Sequence, residues 1–308
     1  MKDPLAFEPD WLKDRLDRGE VILLDGAMGT ELERRGVPMD QSAWSGAAVM
    51  THPDTVRAIH ADYIDAGADV IIVNSFASGR HSLAPAGLGD HVRSINTDAV
   101  RLAKEARDSA ADRPVAVAGS ICEWVPREGS TWSHNEALKE ALAEQAHLLA
   151  EAGVDMLVLE MCQRWEHSEL AFEAAKATGL PIWVGASCRR KPTQSALSTF
   201  DADTDPNFET LVTGLAQLGP RVLSVMHSPI ADTVEGVEIV KGHWDGPLGV
   251  YPESGHFIMP NWQFVDIIDP DDLVAQAHMW LDLGVQVIGG CCGLGPDHIR
   301  ALSQAIRR

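Results

Sequence analysis

The chain is poor in positive charge. Its 308 residues carry 25 Lys and Arg against 45 Asp and Glu, a formal net charge of −20. A field of that sign repels nucleic acid and anionic membrane surfaces, so neither is expected as a partner. Long apolar runs are also missing. No stretch approaches the roughly 18 continuous apolar residues of a membrane span, and the opening Met1-Lys2-Asp3-Pro4-Leu5-Ala6-Phe7-Glu8 has no apolar signal core. These two absences lead us to expect a soluble, cytoplasmic protein. Cysteine is scarce: five in the whole chain make no disulfide framework. Linkers, low-complexity tracts and short repeats are absent too, which leaves one domain over 1–308 as the expected organisation.

What is present starts with an alternation. Apolar, strand-like runs occur at 21–25, 69–76, 114–121, 155–160, 181–187, 221–227, 247–251 and 285–288. Between them lie segments with apolar residues at helical spacing, near 52–68, 90–111, 134–152, 166–178, 207–218, 232–241 and 271–283, and a last one opens at Pro296. Several end at a glycine, such as Gly67, Gly153 and Gly284. Strands that read as continuous apolar runs are covered on both faces. Eight strand-then-helix units predict a parallel sheet closed into a (β/α)8 TIM barrel, of the α/β class. The irregular segments 189–206 and 253–270 follow strand ends and are candidate substrate loops.

Gly289-Gly290-Cys291-Cys292-Gly293 closes the last strand. Adjacent cysteines do not bridge each other without distorting the peptide between them. Flanking glycines let the backbone bend so that both sulfurs reach one centre. Two thiolates on one turn suit a soft-to-borderline ion, and zinc is the usual one. Barrel active sites gather at the C-terminal ends of the strands. Those ends supply Asp25, Asn74, Cys122, Glu160, Cys188, His227, Glu253, Cys291 and Cys292, with Cys162 two residues beyond Glu160. The clustering of cysteine there predicts a sulfur-rich mouth.

Several of these blocks resemble the zinc-dependent homocysteine S-methyltransferase family. They are Leu24-Asp25-Gly26-Ala27-Met28-Gly29-Thr30, then Trp44, His52-Pro53, Ala66-Gly67-Ala68-Asp69, Leu159-Glu160, and Gly289 through Leu302. The resemblance implies a methyltransferase that moves a methyl group from a sulfonium or ammonium donor to the thiol of homocysteine or a close analogue. It implies that Glu160 and Asp25 serve the reaction. Glu160 would bind the acceptor's ammonium, and Asp25 with Gly26 and the following turn would orient its amino-acid part. Trp44 would stack on a cationic donor, and Asn74 and Glu253 complete the expected substrate contacts.

The chain also departs from the family. Met226-His227 stands where the family has Asn-Cys with its third zinc ligand, so the expected metal set is His227, Cys291 and Cys292; Cys188 or Cys162 is the alternative third ligand. Ala77 follows Phe76 where the betaine-using branch has tyrosine, and Glu253 replaces a usual asparagine. These changes leave two other activities open. One is a demethylase that passes the methyl to a corrinoid protein or another thiol. The other is a non-catalytic binder of a metal or small molecule. Fold analogy adds a weak expectation of a homo-oligomer.

Overall fold

The computed structural model describes residues 8–125, 135–192, 194–200, 207–258 and 263–307. Eight parallel strands form the wall: β1 (Ile22–Leu23), β2 (Val70–Ile72), β3 (Ala116–Cys122), β4 (Met156–Cys162), β5 (Ile182–Ala186), β6 (Val222–Pro229), β7 (Leu248–Glu253) and β8 (Val285–Ile288). They neighbour one another in the order β1-β8-β7-β6-β5-β4-β3-β2. The ring closes between β1 and β2, where Leu24 bridges Val70. There the Asp69 amide donates to the Leu23 carbonyl at 2.7 Å and the Asp25 amide to the Val70 carbonyl at 3.0 Å. The expected TIM barrel is therefore the fold.

The connecting helices lie where the periodicity places them, among them Pro53–Ala66, Val92–Ala110 and Pro296–Ile306. Gly67 ends the first of these in the left-handed region, at φ 113°. Helix Asp10–Asp17, which the sequence reading does not contain, sends Leu12 and Leu16 into the bottom of the barrel. Arg221 ties this end together, its guanidinium 3.0 Å from Glu8 and 2.7 Å from Asp17. Among the described residues no helix is long and apolar enough to cross a membrane.

The wall sorts side chains by the two-residue period of a strand. On β4, Met156 and Val158 join the cluster inside the barrel, while Leu157 and Leu159 join the layer between strands and helices. The same alternation on β5 turns Trp183 inward and Ile182, Val184, Ala186 and, past the strand end, Cys188 outward. On β3 it turns Ala116, Ala118 and Cys122 inward, and by the same parity Ser120.

Two strands break the period near the mouth. Pairing between β4 and β5 shifts register between Leu159 and Cys162, and that between β6 and β7 shifts between Met226 and Pro229. Met161 and His227 sit at these bulges with φ of 58° and 43°. A bulge inserts one residue and re-aims the side chains after it. Hence Glu160 and Met161 both face the cavity, as do Met226 and His227.

Candidate active site

A cavity of about 620 Å³ opens at the C-terminal end of the barrel. Asp25, Gly26, Trp44, Asn74, Glu160, His227, Glu253, Cys291 and Cys292 all line it, so the sequence-derived candidates converge on one site. Among the described residues, three of the four non-glycine residues with positive φ, Trp44, Met161 and His227, line the same cavity. Backbone strain of this kind persists where the surrounding packing enforces it, and it clusters at functional sites.

The cysteine turn is held from two sides. The Gly290 amide donates to the Asp25 carbonyl at 3.1 Å, the Cys291 amide to the Pro252 carbonyl at 2.8 Å, and the Ser254 amide to the Cys292 carbonyl at 3.0 Å. Gly293 has φ 85°, and a Cβ there would lie 2.1 Å from the Ser254 carbonyl oxygen. Only glycine satisfies both the conformation and the close approach. The two sulfurs are 4.0 Å apart and both cysteines are free thiols.

His227 completes the cluster. Its Nδ1 is 3.5 Å from Cys291 Sγ, and the donor atoms of His227, Cys291 and Cys292 all lie within 4.8 Å of one another. Donors sharing a zinc-sized tetrahedral ion stand about 3.8 Å apart for two sulfurs and about 3.5 Å apart for nitrogen and sulfur, given bonds of roughly 2.3 and 2.0–2.1 Å. The 3.5 Å nitrogen–sulfur and 4.0 Å sulfur–sulfur spacings at Cys291 fit that geometry. The same Nδ1 is 3.3 Å from a Glu253 carboxylate oxygen. Burial works against a charged imidazole, but Cys291, Glu253 and Glu160 outweigh it and hold the His227 pKa up at about 9.

Two expected thiols are not here. Cys188 and Cys162 are buried in the layer between strands and helices, Cys188 by strand parity and Cys162 because the β4 bulge turns it outward. The sulfur-rich mouth is thus limited to Cys122, Cys291 and Cys292, and the alternative third ligand is excluded from the cluster.

The carboxylates occupy contrasting settings. Glu160 accepts a hydrogen bond from the Ser120 hydroxyl. Burial raises its pKa to about 7, against the opposing pull of Ser120 and His227. Asp25 accepts from the Ile72 amide at 2.8 Å. Burial raises it well above the ordinary range, the Ile72 amide opposing and Glu160 adding to the rise. Asn74 spends both ends of its amide on Ser45, at 3.1 and 3.0 Å, and so anchors the loop that carries Trp44. Trp44 meets Phe76 edge to face at a centroid distance of 5.8 Å. Its ring fills the space where a side chain on Gly29 would stand, 2.3 Å from that position.

Sequence reasoning missed Ser120, Arg189 and Phe200, which also serve the cavity or its carboxylates. Strand parity on β3 could have found Ser120. Arg189 and Phe200 both lie in the segment 189–206 expected to be a substrate loop, but no motif singles out either residue within it.

Comparison with known proteins agrees with this geometry. The sequence model of the homocysteine S-methyltransferase family matches residues 22–306. The homocysteine S-methyltransferase YbgG of Bacillus subtilis (strain 168) is 28% identical over 313 residues, 94% of this chain and 95% of that protein. A selenocysteine methyltransferase of Astragalus bisulcatus is 23% identical over 320 residues, 92% of each. Among solved structures, the metallated form of the homocysteine methyltransferase MmuM from Escherichia coli superposes with a TM-score of 0.75 at 25% identity, over 95% of this chain and 99% of that one. The match runs from the first barrel strand into the last helix, and this chain therefore belongs to the homocysteine S-methyltransferase family and is a methyltransferase.

Proposed function

We propose that the protein is a zinc-dependent S-methyltransferase that methylates the thiol of homocysteine or a close analogue from a sulfonium or ammonium donor. The observation that carries this reading is the spacing of His227 Nδ1, Cys291 Sγ and Cys292 Sγ at the barrel mouth, which suits one tetrahedral ion. His227, Cys291 and Cys292 would hold the zinc, which would supply Lewis acidity that lowers the pKa of a thiol acceptor, the thiolate being the nucleophile.

The remaining work belongs to the chain. Glu160, as a carboxylate, pairs with the acceptor's ammonium, and Ser120 fixes its direction. Asp25 and the turn after it orient the acceptor's amino-acid part. Trp44 and Phe76 offer aromatic surface to a cationic methyl group. The activated donor provides the driving force, so the protein contributes mainly position. A relative named for selenocysteine keeps close analogues of homocysteine within the acceptor class. A site built on free thiols suits the reducing cytoplasm.

The test is methionine formation from L-homocysteine and labelled S-methyl-L-methionine or glycine betaine, followed by mass spectrometry. The reading expects turnover with zinc-loaded protein and none after chelation or in Cys292→Ala. Equal turnover by zinc-loaded and zinc-free protein would contradict it.

A further inference from the structure

Among the described residues that line the cavity, one carries a cationic head other than a histidine. Asp25, Glu160 and Glu253 line it, and Arg189 is its single arginine or lysine among the described lining residues. Arg189 sits on the short hairpin that leaves β5, with Cys188 opposite Thr199 and Arg189 opposite Ser198. The Phe200 amide continues this pairing by donating to the Ser187 carbonyl at 3.1 Å.

Consecutive residues on such a hairpin point to opposite sides. Arg190 is used structurally: it pairs with Glu235 and Asp232 on the helix Ile230–His243. Arg189 faces the cavity instead. Its guanidinium lies over the Phe200 ring at 3.7 Å, and that ring packs on His227 at a centroid distance of 4.6 Å. Phe200 thus packs on both the guanidinium and His227.

Stacking uses the face of a guanidinium and leaves its N–H donors, which lie in the plane, available. Among the described residues none of those donors is taken by a hydrogen bond or an ion pair; the guanidinium stacks on Phe200, and, against the rise that burial causes, its charge pulls the Glu253 pKa down. An in-plane fork of this kind matches a carboxylate with two parallel hydrogen bonds.

We propose that Arg189 is the carboxylate-binding residue of this cavity and that it takes the carboxylate of a zwitterionic methyl donor. The inference rests on the methyltransferase reading above. Methyl transfer to an amino-acid thiol from such a donor brings two carboxylates into an acidic mouth. The turn amides after Asp25 serve the acceptor's carboxylate. The donor's carboxylate then has Arg189, which comes from the strand diametrically opposite β1 in the ring. Phe200 makes Arg189 effective by holding its plane fixed.

Calorimetric titration of zinc-loaded protein without acceptor thiol tests this, because no turnover is then possible. The probes are S-methyl-L-methionine and glycine betaine, with trimethylsulfonium and tetramethylammonium as partners that lack the carboxylate. Wild type should prefer a carboxylate-bearing probe. Arg189→Gln should weaken that probe by roughly 10- to 100-fold and leave the carboxylate-free cations unchanged. Arg189→Lys, which keeps the charge and loses the fork, should fall between, as should Phe200→Leu. Zinc content equal to wild type verifies the fold of each variant. Equal affinities in wild type and Arg189→Gln, or no preference of wild type for the carboxylate, would overturn the proposal. A loss confined to L-homocysteine in a parallel titration would also overturn it, by giving Arg189 to the acceptor. Absence of methionine formation in the turnover assay would instead count against the methyltransferase reading, and the titrations would still decide the role of Arg189.

Discussion

Nδ1 of His227 stands 3.5 Å from Sγ of Cys291, across a sequence separation of 64 residues. Strand parity alone would not bring them together. Val222 and Met226 face the barrel interior, so an unbroken β6 would aim the next residue outward. The bulge at His227 turns it back. A cysteine at 227 would offer a thiolate from the same bulge, so His227→Cys is expected to hold about one zinc per chain. His227→Ala should lose zinc affinity by at least about tenfold. Competition with a chromophoric chelator measures both.

The other cysteines provide a second check. Cys162→Ala and Cys188→Ala remove thiols that face the helix layer, and zinc content should stay at the wild-type level. Cys292→Ala should abolish it. Metal analysis of the three variants decides, and zinc loss in Cys188→Ala would mean that the outer thiol moves to the ion.

Glu160 is expected to show itself in binding and in pH dependence. Glu160→Gln should weaken L-homocysteine by about 100-fold, the cost of leaving a buried ammonium without its partner, with zinc content unchanged. The folded-state pKa of Glu160 is raised from 4.5 to about 7. The folded chain then holds a proton that the unfolded chain has released, so the carboxyl's cost to stability grows as pH rises from 4.5 to about 7 and is complete above that. In zinc-free protein, Glu160→Gln should melt close to wild type near pH 4 and be the more stable at pH 8, by at most about 3 kcal/mol. Thermal melts at the two pH values read the difference.

Gly293→Ala should be costly although it adds one carbon. The position combines φ 85° with a backbone oxygen 2.1 Å from the new Cβ, and a carbonyl already engaged in the turn cannot move aside cheaply. A loss of at least about 2 kcal/mol is expected, together with weaker zinc binding, because the two sulfurs ride on this turn. Chemical denaturation and zinc titration measure the pair of effects.

Much of this was legible in the sequence because a barrel writes its register into its strands. The apolar runs marked the eight strands, and their ends named Asp25, Glu160, Glu253 and the cysteine pair. Parity also carries the inward direction of Ser120. What the sequence does not contain is the pair of bulges at Met161 and His227. A bulge comes from the mismatch between neighbouring strands, here β4 with β5 and β6 with β7, and no local propensity announces it. That is why Cys162 read as a mouth residue and is not one. Cys188 misled for a simpler reason: it lies one residue past an inward position, and a strand end has two faces. The plug formed by Leu12 and Leu16 was missed because helix Asp10–Asp17 is only eight residues long.

In the proposed reaction an acceptor thiol would join an ion held by one imidazole and two thiolates. Zinc X-ray absorption with and without L-homocysteine tests it most directly. A first shell with two sulfurs and an imidazole is expected in the protein alone, at about 2.3 and 2.0–2.1 Å, and a third sulfur when homocysteine is added. An unchanged sulfur count with saturating homocysteine, or three sulfurs and no imidazole before it is added, would rule out this ligand set and this role for the ion.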